Sequence, residues 1–248
     1  ALLAGLGVLG AAAGGRVDDE AIIRRGVRAG LPRLFKASFA GAKIPPHIFL
    51  EGVGEPGAGY RVSLLNPLRK PASAWSFKSE WLWSEHENIV KRAPRSKSTL
   101  NLEESAGLAA LKVVERKADD PASLLLKTLQ GYVIYSPNTP ALRATTPDPQ
   151  TRPPVGLVGG GLAEGFEALK RAVSDNVLDD ALELIDWVSE VGATDAAGAL
   201  LSPSVPRTKY VLRFTDRFMA ASRNALTAYD ASEGALYVIF AAILCLSP

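Results

Sequence analysis

Tyr229-Asp230-Ala231-Ser232-Glu233-Gly234, running straight into the apolar segment Ala235 to Leu246, is the stretch on which the reading of the chain turns. A β-rich segment precedes it, so the expected order is strand, tight polar turn, buried helix. Asp230 suits a helix N-cap, because a carboxylate accepts from the orphan N–H groups of a first turn. Glu233 stands three residues on, as in a capping box. The helix that follows is apolar nearly all round and is expected in the interior. Its first-turn N–H groups and the positive end of its dipole make an anion site. The same order serves as the nucleophile elbow of hydrolases, which wants G-x-S-x-G and a His downstream of the Ser. Asp230 replaces the first Gly and no His follows His86, which excludes the elbow. Two readings of the turn are left: a phosphate-sensing Ser-x-Gly, or a capped core helix and nothing more.

Working back from the turn, Thr208 to Phe214 and Arg223 to Tyr229 read as strands of a hairpin. Val177 to Val191, with Leu178, Ala181, Leu182, Ile185 and Val188 at helical spacing, predicts an amphipathic helix. Gly159-Gly160-Gly161 opens a helix to about Val173; no Lys follows at phosphate-loop spacing, so the glycines read as a hinge. Ser136 to Pro154 holds six prolines and reads as a loop, after a buried strand Gly131 to Tyr135. Ala122 to Gln130 and Ser105 to Lys117 read as helices, with Asp119-Asp120-Pro121 as the break between them. From His47 to Leu102, short aromatic and β-branched runs punctuated by Gly and Pro predict an antiparallel β meander, its last strand at Ser98 to Leu102. Residues 1–13 and Asp18 to Val27 read as helices. The fold class is α/β in the α+β sense. The expected divisions are 1–135, with the meander at 47–102, a Pro-rich linker at 136–158, and a helical lobe at 159–248.

The 248 residues suffice for one large domain or two small ones, and 47% hydrophobic with 22% charged residues is an ordinary globular balance. A net charge of +2 gives no bulk attraction for nucleic acid, so only a local patch can supply one. The lone Cys245 excludes an intrachain disulfide, reads as an inert core residue, and fits a reducing, cytoplasmic setting. The apolar segments 1–13 and 235–246 are too short to span a membrane. Two His lying 39 positions apart and a single Cys give no metal-ligand spacing.

Gly5, Gly7 and Gly10 match the spacing of the dinucleotide fingerprint G-x-G-x-x-G, yet only four residues precede Gly5 and no acidic residue ends a strand near position 30. A Gly/Ala-rich helix packed closely on a sheet is the expectation, with a dinucleotide-binding enzyme as an alternative. Lys91, Arg92, Arg95 and Lys97 form a basic loop beside Trp75, Trp81 and Trp83, a candidate for holding a phosphate backbone and stacking bases. The plainer reading is a solvated hairpin tip. Lys209, Arg213 and Arg217 alternate onto one face of an expected strand, where they could meet DNA or a partner.

Leu226 to Gly234 with the apolar helix and Leu246-Ser247-Pro248 resembles the signature region of ABC-type ATPase heads, and among them the bacterial AAA family ATPases of the RecF, SMC and OLD type. Ala11 to Gly15 with Asp18-Asp19-Glu20, and Tyr135-Ser136-Pro137-Asn138-Thr139-Pro140-Ala141-Leu142-Arg143, are similar to that family too. The departure is large. The sequence contains no Gly-Lys pair, hence no Walker A. It has no apolar strand ending in Asp-Glu; Leu182 to Trp187 comes nearest. The chain reads as the stretch between Walker A and Walker B, of a longer protein or of a degenerate copy.

The resemblance implies an ATP-binding head that dimerises with a second head, with ATP and Mg²⁺ as cofactors in the full-length context. Ser232, Glu233 and Gly234 would face ATP held by the other head. Asn138 and Arg143 would lie in the loop joining the two lobes. The work implied is on DNA, in repair or anti-phage defence, in the cytoplasm and away from membranes, with an effector nuclease subunit as a candidate partner. The alternative is a non-catalytic module that binds a partner ATPase or nuclease.

Overall fold

The computed structural model describes residues 2–28, 47–54, 57–67, 69–85, 87–93, 103–195, 201–206 and 208–247. The chain forms two compact units, Ala1–Ile134 and Tyr135–Pro248. Both are mixed helix and antiparallel sheet. Together they carry eight helices and seven strands among the described residues.

In the first unit, strands β1 (His47–Gly54), β2 (Ala58–Leu65), β3 (Ser76–Ser84) and β4 (Glu87–Arg92) form a four-stranded antiparallel sheet in sequence order. The meander predicted over 47–102 is therefore present over 47–92; its expected strand 98–102 lies outside the described residues. Alternation decides the faces. Ile48, Tyr60, Val62, Leu64 and Leu82 point to the core, beneath helices α1 (Leu2–Ala13) and α4 (Pro121–Gly131). Phe49, at 59% exposure, and Val53, at 68%, point the other way. Trp75 is 2% exposed and belongs to the core, not to a surface patch.

Helix α1 is Gly-rich because it is packed close. A Cβ at Gly7 would collide with Val27, and one at Gly10 with the carbonyl of Leu129 in α4. All three glycines of the apparent dinucleotide fingerprint lie inside this helix, whereas a phosphate-binding turn places them between a strand and a helix. The second helix, α2 (Asp19–Ile23), is capped by Asp18, whose carboxylate accepts from Ala21 N at 2.8 Å. Gly26 follows with φ +72°, pressed against the carbonyl of Ile134. Only glycine takes that backbone angle there without strain. The buried strand expected at Gly131–Tyr135 is not formed. Gly131 closes α4, and among the described residues the segment beyond it joins no sheet.

A single acid ties the sheet to the short helix α3 (Ala109–Val113). Glu80, on the core face of β3, is fully buried; its carboxylate accepts from Leu108 N at 2.6 Å, Ala109 N at 3.1 Å and the Tyr60 hydroxyl at 3.0 Å. This explains why the helix expected over Ser105–Lys117 starts only at Ala109: its first amides are claimed by Glu80. Burial pushes the Glu80 carboxyl above its ordinary 4.5, against the two amides, the Tyr60 hydroxyl and Arg92, which pull it down.

In the second unit, β5 (Val188–Asp195), β6 (Tyr210–Asp216) and β7 (Ala225–Thr227) form a three-stranded antiparallel sheet in that order. Helices α6 (Leu162–Ala172) and α8 (Glu233–Leu246) share one core with it, built on Phe166, Leu212, Phe214, Leu236 and Ile239. The helix expected over 177–191 is a correction. Only α7 (Asp179–Leu182) is helical, and Val188 onward is strand, held by pairing with β6. The lobe expected to be helical therefore carries a sheet. The Pro-rich segment 136–158 contains α5 (Thr139–Leu142) and contributes Leu142, Ala144 and Val155 to the second core. Helix α8 is not interior all round: Tyr237, Ala241 and Cys245, one turn apart, form an exposed stripe, which corrects the buried placement of Cys245. No helix among the described residues is long and apolar enough to cross a membrane.

Glu80 makes the first unit's stability depend on pH in a definite direction. The unfolded carboxyl titrates near 4.5 and the folded one higher, so unfolding between the two values releases a proton. Stability therefore rises as pH falls through the folded value and is fully gained below about 4.5. Glu104 and Asp120, whose carboxyls are held below their ordinary range by Lys78 and Arg116, act in the opposite sense at lower pH. Urea denaturation followed by circular dichroism should show the acid-side gain in the parent and not in Glu80→Gln. Glu80→Ala, which orphans the buried Ala109 amide, the half-buried Leu108 amide and the buried Tyr60 hydroxyl, should cost about 3 kcal/mol.

Candidate functional site

The turn between β7 and α8 is built from the inside outward. Thr227, the last residue of β7, is fully buried. The Asp230 carboxylate folds back onto it and accepts from its N–H at 3.1 Å and its hydroxyl at 3.0 Å. The Thr227 hydroxyl in turn accepts from Tyr229 N at 3.2 Å. Asp230 is thus engaged with the strand and is not the helix cap. The N-cap is Ser232, with extended backbone at φ −62°, ψ 146° and Oγ accepting from Ala235 N at 3.3 Å. The capping box expected from Asp230 and Glu233 is corrected by two positions, because buried Thr227 captures the carboxylate.

Ser232, Glu233 and Gly234 are all exposed. The Ser232 oxygen accepts within the helix, which leaves its proton available for a further acceptor. The amides of Glu233 and Gly234 stand in the first turn, where helix geometry gives them no acceptor four residues back. A Cβ built at Gly234 would meet nothing within 4 Å. The unit's own packing therefore gives no reason for a glycine at that position.

The Pro-rich loop is joined to this turn. Arg143, which ends α5, donates from Nη2 to the carbonyl of Ala231 at 3.3 Å, and its Nε is buried without a protein partner. Asn138 caps α5, accepting from Ala141 N at 3.0 Å. The Tyr237 hydroxyl, one turn into α8, donates to the carbonyl of Pro137 at 3.3 Å. Of the two loop residues read from the sequence, Arg143 is tied to the segment leading into the helix mouth, while the Asn138 side chain is engaged in capping α5. Gly160 and Gly161 turn their amides onto the chain's own groups. Gly160 N donates to Asp148 Oδ2 at 3.3 Å and Gly161 N to the Val155 carbonyl at 3.0 Å. A separate concavity of about 740 Å³ opens beside that loop, with Asp148, Glu164 and Thr208 on its wall; Ser232 to Gly234 are not on it.

The basic candidates divide. Arg95 and Lys97 lie outside the described residues. Lys91 and Arg92 are not in a loop but in β4, on opposite faces. Lys91 is exposed, while Arg92 sits 5.9 Å from the centre of the Phe77 ring. Lys209 and Arg213 are exposed, Lys209 lying 4.9 Å from the Tyr210 ring centre. Arg217 falls beyond the end of β6, and its guanidinium donates to the carbonyl of Val188. Arg61, absent from the sequence-based candidates, shares the outer face of the first sheet with Lys91. Its place between the core-facing Tyr60 and Val62 in β2, which alternation turns to the outer face, was the signal available. Among the described residues no cluster of His, Cys, Asp and Glu is arranged to hold a metal.

The turn separates stability from surface chemistry in a measurable way. Ser232→Ala removes the cap and should lower the second unit's stability by about 1 kcal/mol. Gly234→Ala removes nothing the unit uses and adds helix propensity, so it should be neutral or stabilising by up to about 1 kcal/mol. Thermal denaturation of the two variants, read by circular dichroism, checks both signs. Comparison with known proteins returns no match for the chain: no family model, no curated protein and no solved structure.

Proposed function

We propose that the chain is the part of an ABC-type ATPase head, of the RecF, SMC and OLD kind, that lies between the two nucleotide-gripping motifs, and that α8 presents its mouth to ATP bound by a second head. One observation carries the reading: a strand–turn–helix leaves a serine hydroxyl and a glycine exposed at the start of a 14-residue helix, and the unit's own packing does not call for the glycine. The donor set fits a terminal phosphate. Ser232 offers its proton, the first-turn amides offer theirs, and the helix start contributes positive potential. The bare backbone at Gly234 allows close approach. Arg143 holds the carbonyl of Ala231, which fixes the residue leading into the mouth. ATP with Mg²⁺ supplies the bridging charge between two such heads. The sequence brings neither a Gly-Lys pair nor an Asp-Glu strand end, so this chain's share is the contact made in trans. Heads of this kind act on DNA in repair or anti-phage defence, and that is the process proposed here.

The test uses the intact gene product. Sedimentation velocity with ATP and Mg²⁺ should show nucleotide-dependent dimers for the parent. Ser232→Arg and Gly234→Leu should each weaken them by at least about tenfold, equivalent to 1.4 kcal/mol, with unchanged circular dichroism. ATP-dependent dimers of undiminished affinity in both variants would refute the assignment.

A further inference from the structure

The outer face of the four-stranded sheet gathers groups whose arrangement the core does not require. Register places Arg61 of β2, Trp81 of β3 and Lys91 of β4 in one cross-strand row, and Gly59, Trp83 and Asn88 in the row beside it. Trp81 and Trp83 are half-buried, and Lys91 and Asn88 are exposed. The two indoles border a shallow depression of about 290 Å³, shared with Arg61, Asn88 and Lys91. Gly59 is what lets Trp83 lie down: a Cβ there would collide with the indole, so the ring rests along the sheet surface instead of standing off it. The Arg61 guanidinium lies 5.6 Å from the ring centres of both Trp83 and Phe49, and 2.9 Å from the Glu51 carboxylate, which fixes its position.

We propose that this face binds single-stranded nucleic acid, with Trp81 and Trp83 stacking successive bases and Arg61 and Lys91 meeting phosphates on either side. Side chains two apart on a strand stand about 6.6 Å from each other, enough for one base per indole. Neighbouring strands about 4.8 Å apart put a cation on each flank of Trp81. A duplex keeps its base faces inside its own stack and cannot use such a platform, whereas every unpaired base offers one. A protein partner fits less well, since lysine is depleted from the cores of protein interfaces and here Lys91 stands directly opposite Trp81. The proposal is independent of the ATPase reading, and its test needs no nucleotide.

The test is fluorescence anisotropy of the whole chain with labelled oligo-dT and oligo-rU of about 15 nucleotides, against a duplex of the same length, across a salt series. Single strands of either sugar should bind more tightly than the duplex. Trp81→Ala and Trp83→Ala should each weaken binding roughly tenfold. Lys91→Gln, at an exposed position that leaves folding intact, should lower the salt slope by about 0.7. The proposal is overturned if the duplex binds as well as the strand. It is also overturned if Lys91→Gln leaves both affinity and slope unchanged. Loss of self-association in Trp83→Ala without any oligonucleotide binding would make the face a protein interface and would equally overturn it.

Discussion

The clasp between the Asp230 carboxylate and Thr227 sets where the last helix begins, and the character of the second unit follows from it. Thr227 is buried at the end of a strand, and its N–H and hydroxyl both need an acceptor away from water. Asp230 supplies it from three residues on. Once that carboxylate is committed, the chain needs another oxygen to cap the helix, and Ser232 is the next available. The cap then falls on Ser232, which is exposed. A buried polar requirement thus places a hydroxyl and a glycine at an open helix mouth.

The first unit answers a similar requirement differently. Glu80 is fully buried, and three donors converge on it from β2 and the start of α3. Taking those amides fixes α3 against the sheet. Helices α1 and α4 cover the core face of the sheet, and α1 lies so close to Val27 and to the α4 backbone that Gly7 and Gly10 admit no side chain. The outer face is free of that demand, which is why aromatic and cationic residues can occupy it.

Elements whose local signal and tertiary setting agree were legible in the sequence. Helices α1 and α4, the first three strands of the meander, the hairpin of β6 and β7, and α8 are all where periodicity and turn residues put them. The failures have physical causes. Val188 to Asp195 continues the apolar spacing of the preceding turn of helix, and only its pairing with β6 makes it a strand. Gly131 to Tyr135 has the composition of a strand, but Gly131 serves to end α4, Tyr132 N bonds back to the Leu129 carbonyl at 3.2 Å, and Ile134 N bonds to the Arg25 carbonyl at 2.9 Å without forming a ladder. Asp230 and Ser232 are equally good caps on paper; the choice was made by Thr227, whose burial no local pattern announces. Ser232, Glu233 and Gly234 were identifiable from their place before an apolar run. The tie from Arg143 to Ala231 spans 88 positions and was not.

The placement of the four tryptophans has an experimental consequence. Trp75, Trp81 and Trp83 all belong to the first unit, while Trp187 alone belongs to the second, its ring 5.5 Å from the Phe214 ring in that unit's core. Replacing Trp187 by Phe removes the second unit's tryptophan emission, and replacing the other three removes the first unit's. The molecule therefore carries a built-in pair of optical reporters. With them, the order in which its two halves lose structure can be followed without attaching a dye.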